Sequence, residues 1–422
     1  MKKNAGQSIN FQQFLSICGR QVLYYSLLAL PFVASFSSAL VNTSIGFAIF
    51  GLLCIAVSER KIALPSRAVT LSFILIIIWS FVSFHNTISV KSSFGGIVKL
   101  LKYGFLILAA CNGIKDRRHL RLIITSLVFG LLVASIDAIY QLIMGVDIFL
   151  RHPYNFVIGL PRLSGVFPHT NLFGGYLALF IPLAAAIGLY YTRGRKKAVV
   201  LLVSALATFC LVYTFSRSAI AGLGIAIFIM AVAKRDKIIL FGVIAALILT
   251  PFLLPKNIRD WVKTNNTVWE VLLNKERINI YRASLNMIKA HPVMGVGTNT
   301  FCINYQKYKA VETDGFTYDS NYYAHNIFLH TAGELGVVGL MLLIWFFIAL
   351  FTLAWRCYRL ARDNLIKVAS LGVIGSMSAF IINGLTESNL YYSKIATLFF
   401  FMVGLLLGIY KIIQENGYEK AK

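Results

Sequence analysis

The chain has 422 residues, 40 Lys+Arg against 16 Asp+Glu, 58% hydrophobic residues and only 13% charged ones. An ordinary soluble domain carries about 25% charge, so this composition, with a mean hydropathy of +0.73, excludes a cytosolic globular enzyme, a disordered tail and a disulfide scaffold. The net charge of +24 invites a nucleic-acid partner, but the cations are scattered among apolar runs rather than gathered in one stripe, so no nucleic acid is expected.

A membrane-spanning helix needs about 20 mostly apolar residues. Twelve such runs occur, at 21–38, 40–57, 68–84, 94–111, 120–145, 172–191, 198–214, 218–233, 238–254, 326–354, 365–384 and 394–411. The tenth is long enough to tilt or to extend past the bilayer. Because the runs are continuous, they exclude a β-barrel, whose strands alternate over about 10 residues. The expected fold is an all-α integral membrane protein with about twelve transmembrane helices. The expected division is residues 1–254 for helices one to nine, 255–325 for a long outer loop, and 326–422 for the last three helices and a tail.

Orientation follows from the positive-inside rule. With the N-terminus cytoplasmic, 24 of the 40 cations fall on the cytoplasmic side, and an even helix count leaves both termini there. Most of the charge excess is thus a topology signal. No short apolar run ends in a small-residue cleavage site, so the first helix is expected to serve as an uncleaved anchor. Of six cysteines only Cys302 falls in the long outer loop. No structural disulfide and no metal-binding CxxC spacing is expected.

Polar chemistry concentrates on the outer side. The long loop holds Trp261, Trp269, Phe301, Phe316 and six tyrosines, which argues for folding rather than disorder. Within it, residues 271–290 place Ile278, Tyr281, Leu285 and Ile288 at helical spacing and predict an amphipathic helix lying on the outer membrane face. His291-Pro292 should stop that helix. Arg217, in TFSRSA, stands where the seventh run gives way to the eighth; it suits either snorkelling to headgroups or gripping an anion bidentately. Arg277, with Arg282 and Lys289 further along, fits a solvated helix face or a phosphate site.

His325 and Asn326 mark the return of the loop into the membrane, where a near-neutral imidazole is well placed for proton transfer. His330 and Glu334 lie four apart and read as a buried polar pair. Arg162, His169 and Asn171, entering the sixth run, fit either helix-capping chemistry or a ligand role. Asp137 and Glu387 are single acids near outer helix ends, able to counter one of the arginines or to serve structure alone.

Nucleotide-binding loops are absent from the sequence, as are a close acidic pair and a His/Cys cluster to hold a metal, so no cofactor is expected. Arginines, one histidine and aromatics suit sugar transfer from a lipid diphosphate. Such a donor carries its own leaving group, cations stabilise the charge that develops on it, and one base serves the acceptor hydroxyl.

SRS at 216–218, ERINIYRASLNMIKAHPVMGVGTNTF at 276–301 and HNIFLHTAGELGVVGL at 325–340, in that order around one long outer loop, carry a resemblance to a known family. Over roughly residues 205–410 the chain resembles the O-antigen ligase and polymerase superfamily of bacterial inner-membrane glycosyltransferases. The resemblance implies metal- and ATP-independent transfer of glycan from undecaprenyl diphosphate to lipid A–core or another glycan acceptor, with inversion at the anomeric carbon. It implies diphosphate-binding roles for Arg217 and Arg277 and a base at His325, facing the periplasm. A polymerase using the same donor is the nearest alternative. A twelve-helix transporter would show two comparable halves, and no internal repeat is visible.

Overall fold

The computed structural model describes residues 10–64, 66–157, 159–253, 275–309, 322–415 and 417. Ten of its helices are long and apolar enough to cross a membrane. They are α2 (Ser38–Glu59), α3 (Arg67–Val82, continued by a 3-10 turn to Asn86), α4 (Val90–Gly113), α5 (Arg117–Met144), α6 (Thr170–Tyr190), α7 (Gly194–Tyr213), α8 (Arg217–Lys234), α12 (Ile327–Leu360), α13 (Asn364–Gly384) and α14 (Ser393–Glu415). The remaining two apolar runs are α1 (Phe11–Val33) and α9 (Lys237–Leu253). α1 begins before its run, and its first half is polar: Arg20 bonds Glu59 of α2 at 2.5 Å and Ser16 bonds it at 2.7 Å. α9 has 17 residues, about 26 Å at 1.5 Å per residue, short of a hydrocarbon core of about 30 Å.

Burial sorts the helices by sequence. α6, α13 and α14 are apolar on every side and almost wholly buried, whereas α2, α3, α7 and α8 keep much of their apolar surface exposed, as helices facing lipid must. Small residues set the closest crossings. A side chain at Gly222 of α8 would stand 2.7 Å from the Ala379 carbonyl of α13, and one at Gly372 of α13 would stand 2.6 Å from Leu183 of α6.

Between α5 and α6, residues 155–157 (β1) and 160–162 (β2) pair antiparallel, with Asn155 opposite Arg162. Three-residue strands carry no legible period, so the hairpin was invisible in the sequence. Beyond α9, described residues resume with α10 (Lys275–Ala290) and α11 (Phe301–Tyr308). Trp261, Trp269, Phe316 and residues 271–274 lie outside the described residues.

α10 ends where His291-Pro292 predicts. Its buried face differs from the expected one: Ile280, Ala283, Ser284 and Met287 are buried, while Leu285 is 47% exposed. Ile280, Ala283 and Met287 join Val296, Phe301, Tyr305 and Ala324 in a small core separate from that of the bundle. Ala283 and Ser284 let α10 approach α12 closely; Leu285 is left to the outer surface.

α12 is broken at Gly336, whose φ of 68° and ψ of −172° are not helical. A break inside a membrane helix frees carbonyls that must find donors. Val296 N donates to Gly333 O at 2.9 Å, Gly297 N to Glu334 O at 3.0 Å and Trp79 Nε1 to Leu335 O at 2.8 Å, while Val337 N bonds Pro292 O at 2.8 Å. The glycines of HPVMGVG are thus the complement of the break. A Cβ on Gly336 would fall 2.0 Å from the Val293 carbonyl, and one on Gly295 within 2.2 Å of the Glu334 backbone.

Candidate functional site

Three chain segments converge on one carboxylate, Glu387, in the short connection between α13 and α14. Its side chain is 3% exposed. Oε1 accepts from Arg277 Nη2 at 2.5 Å and from Asn171 Nδ2 at 2.6 Å; Oε2 faces His325 Nδ1 at 3.2 Å. Asn171 Oδ1 in turn accepts from Arg162 Nη2 at 2.6 Å, and Arg162 Nε donates to the Thr214 carbonyl at 2.6 Å. The network runs unbroken from the end of α7 to His325.

Each side chain is held by local structure. Arg162 ends β2, so the hairpin projects it toward α6. Arg217 opens α8 after Phe215, whose φ of +51° turns the chain sharply. Arg217 itself is exposed, with Arg277 in electrostatic reach. His325 also lies in the left-handed region, at φ +47°, a conformation that costs a non-glycine residue about 1 kcal/mol or more and persists only where neighbours impose it. Asn326 imposes it from one side: its Oδ1 caps α12 by accepting from Phe328 N at 2.9 Å and Leu329 N at 3.0 Å, while its Nδ2 holds Leu385 O at 2.9 Å. From the other side Tyr281 OH donates to His325 O at 3.1 Å.

The electrostatics follow. Glu387 and the guanidiniums of Arg162, Arg217 and Arg277 act on one another, so the cluster carries two positive charges in excess. Burial pushes the Arg162 guanidinium below its ordinary value; Glu387 raises it, and Arg277 and Arg217 lower it again. A guanidinium keeps its charge through such shifts. Burial also raises the Tyr281 hydroxyl, with Arg277 opposing, which keeps it a donor. Because a carboxylate only accepts, Nδ1 of His325 is the nitrogen that donates to Glu387. The N-terminal ends of α6, α8 and α12 all reach this cluster, adding partial positive charge.

Of the residues singled out from sequence, Arg162, Asn171, Arg217, Arg277, His325 and Glu387 come together here. Asn326 is a cap and a tie. His169 and Arg282 are exposed and make no side-chain hydrogen bond among the described residues. Asp137 does not face the arginines: its Oδ1 accepts from Ile148 N at 2.8 Å and fixes the turn before the hairpin. His330 and Glu334 form the buried pair, 3.3 Å apart. Sequence reasoning missed Tyr281 as a member of the site, having read it as an apolar position. The available signal was its spacing, one helical turn after Arg277 on the same face.

These features define a polytopic all-α membrane protein with a cationic, histidine-bearing site at one end of its bundle. Residues 202–344, about a third of the chain, match the family model described as O-Antigen ligase. One solved structure, described as "Structural coordination of polymerization and crosslinking by a peptidoglycan synthase complex", is similar with a TM-score of 0.46 and 16% identity, covering 82% of this chain and 97% of that one. No curated protein matches.

Proposed function

We propose that the chain is an O-antigen ligase that moves glycan from undecaprenyl diphosphate to a hydroxyl of lipid A–core, with its site on the periplasmic face of the inner membrane and both termini in the cytoplasm. The observation that carries this reading is the shared carboxylate: Glu387 holds Arg277 on one oxygen and His325 on the other.

Nε2 of His325 takes the proton of the acceptor hydroxyl while that oxygen bonds to the anomeric carbon and the bond to the diphosphate breaks, its electron pair leaving with the diphosphate. Arg217 and Arg277 meet the charge that develops there, with Arg162 behind them. The excess of two positive charges matches a diphosphate esterified at both ends. Electrostatic stabilisation of this kind is worth about 10²–10³ in rate per donor. Glu387 steadies the imidazolium that forms, and the proton then passes to water.

A gene deletion read on a lipopolysaccharide gel tests the proposal. Loss of all O-antigen bands, with polymer accumulating on the lipid carrier, is the expected result. A surviving band of core plus one repeat unit would instead assign the chain as a polymerase.

A further inference from the structure

α4 packs mainly on α14 and α3 on α12, so α3 and α4 meet only lightly. The seam between them opens, at the end that bears the loops, into a cleft of about 100 Å³ walled by Phe73, Ile76, Leu100, Tyr103, Leu343 and Phe346. Asn299, Thr331, Glu334 and Tyr391 line its polar side, with Lys99 beside them. A second apolar cleft, of about 270 Å³, continues past the shared wall at Phe73 toward Cys111 and Leu407.

Two lysines stand where an apolar helix is expected. Lys99 and Lys102 lie nine and twelve residues into α4, roughly 14 and 18 Å from its start, and a cation at that depth marks a functional position by default. Their partners are neutral: Lys99 Nζ donates to Asn299 Oδ1 at 3.1 Å and Lys102 Nζ to Ser393 Oγ at 3.3 Å. Among the described residues no carboxylate pairs with either. Glu334, in the wall of the cleft, is already occupied by Asn299 N at 2.8 Å and Phe301 N at 3.0 Å.

The cleft is separate from the arginine cluster. Between them stands a wall in which His330 stacks on Tyr391, ring centroids 3.4 Å apart, and faces Ser388 Oγ at 3.2 Å, one residue from Glu387.

We infer that this cleft is a second lipid site, holding an acyl chain of a phosphorylated acceptor glycolipid with one phosphate against Lys99 and Lys102. Charge complementarity selects the occupant. The compact ammonium of Lys99 in the wall of the groove, with that of Lys102 about one turn further along α4 and outside the lining, fits a phosphate on an acylated head, whereas the forked guanidiniums across the wall fit a diphosphate. The acceptor role of this lipid rests on the ligase reading above. With donor and acceptor on opposite sides of the His330–Tyr391 wall, both can be bound at once, the acceptor sugars reaching over the rim to His325.

The test uses the full purified chain and native mass spectrometry, with three probes: an acylated disaccharide bisphosphate, its dephosphorylated form, and phosphatidylglycerol. One bisphosphate lipid per chain should be retained, at least tenfold in preference to the dephosphorylated form. The Lys99→Gln/Lys102→Gln variant should lose that preference about tenfold, while Arg217→Ala keeps it. The lysine variant should still bind a polyprenyl diphosphate, which shows that it is folded. Unchanged retention in the lysine variant would overturn the site. Equal displacement by phosphatidylglycerol would overturn the acceptor. A chain that retains the glycolipid through its lysines yet transfers no glycan keeps the lipid site and sinks the ligase reading instead.

Discussion

Two histidines five residues apart, His325 and His330, each face a glutamate, and their surroundings differ. His330 and Glu334 are both buried, and the Glu334 carboxylate is spent on the backbone of Asn299 and Phe301 as well as on the imidazole. His325 is 23% exposed at its side chain, and its carboxylate partner comes from another connection and is shared with Arg277. The residue types are the same. On the proposed reading, what separates the structural pair from the reactive one is the exposure of the histidine and whether the carboxylate is tied to backbone or to other charges.

That contrast can be broken most directly at the two histidines. His325→Gln should lower the rate of glycan transfer about 10²–10⁴-fold, the usual contribution of a general base, with the melting temperature unchanged. His330→Gln should do the reverse, lowering the melting temperature with the rate per folded molecule within a few-fold. A His330 variant that melts normally but transfers nothing would put the chemistry on the buried pair. Next in size, Arg217→Ala and Arg277→Ala should each cost about 10²–10³ in kcat; a change confined to KM for the acceptor would remove the diphosphate role. Glu334→Ala strands two buried amides, each worth about 1–3 kcal/mol, and should show as a loss of stability in denaturant titration with little change in kinetics. The smallest effect is expected at Tyr281→Phe. It removes the hydroxyl that holds the His325 carbonyl, worth about 1 kcal/mol, so transfer should fall by about fivefold; no change at all would mean that Asn326 alone sets the His325 backbone.

Much of the architecture was legible because lipid is a blunt selector. Twelve apolar runs become twelve helices with boundaries that shift by a few residues, except at α1, where a polar first half had hidden the helix start. The face that α10 buries was not legible. Hydropathy cannot distinguish a leucine meeting lipid from one meeting protein, so Leu285 counted toward the wrong stripe and Ala283 and Ser284 went unnoticed. Arg217, Arg277 and His325 stood out as a set through the family resemblance of the stretches that carry them; read singly, each also fitted a structural role. The central place of Glu387 was not visible, since a lone acid in an eight-residue connection carries no pattern until the fold brings Asn171, Arg277 and His325 onto it. The hairpin that presents Arg162 was hidden for the same reason.

The break at Gly336 has a mechanical consequence. Residues 327–335, which follow His325 directly, are fastened by their own carbonyls to Trp79 and to the Val296–Gly297 backbone, while residues 337–360 form the membrane stem. Bilayers of different thickness impose different tilts on a stem of that kind. Because Val337 N on the stem also bonds Pro292 O, the loop that holds the head clamps the stem as well, and a change of angle at Gly336 has to move both together.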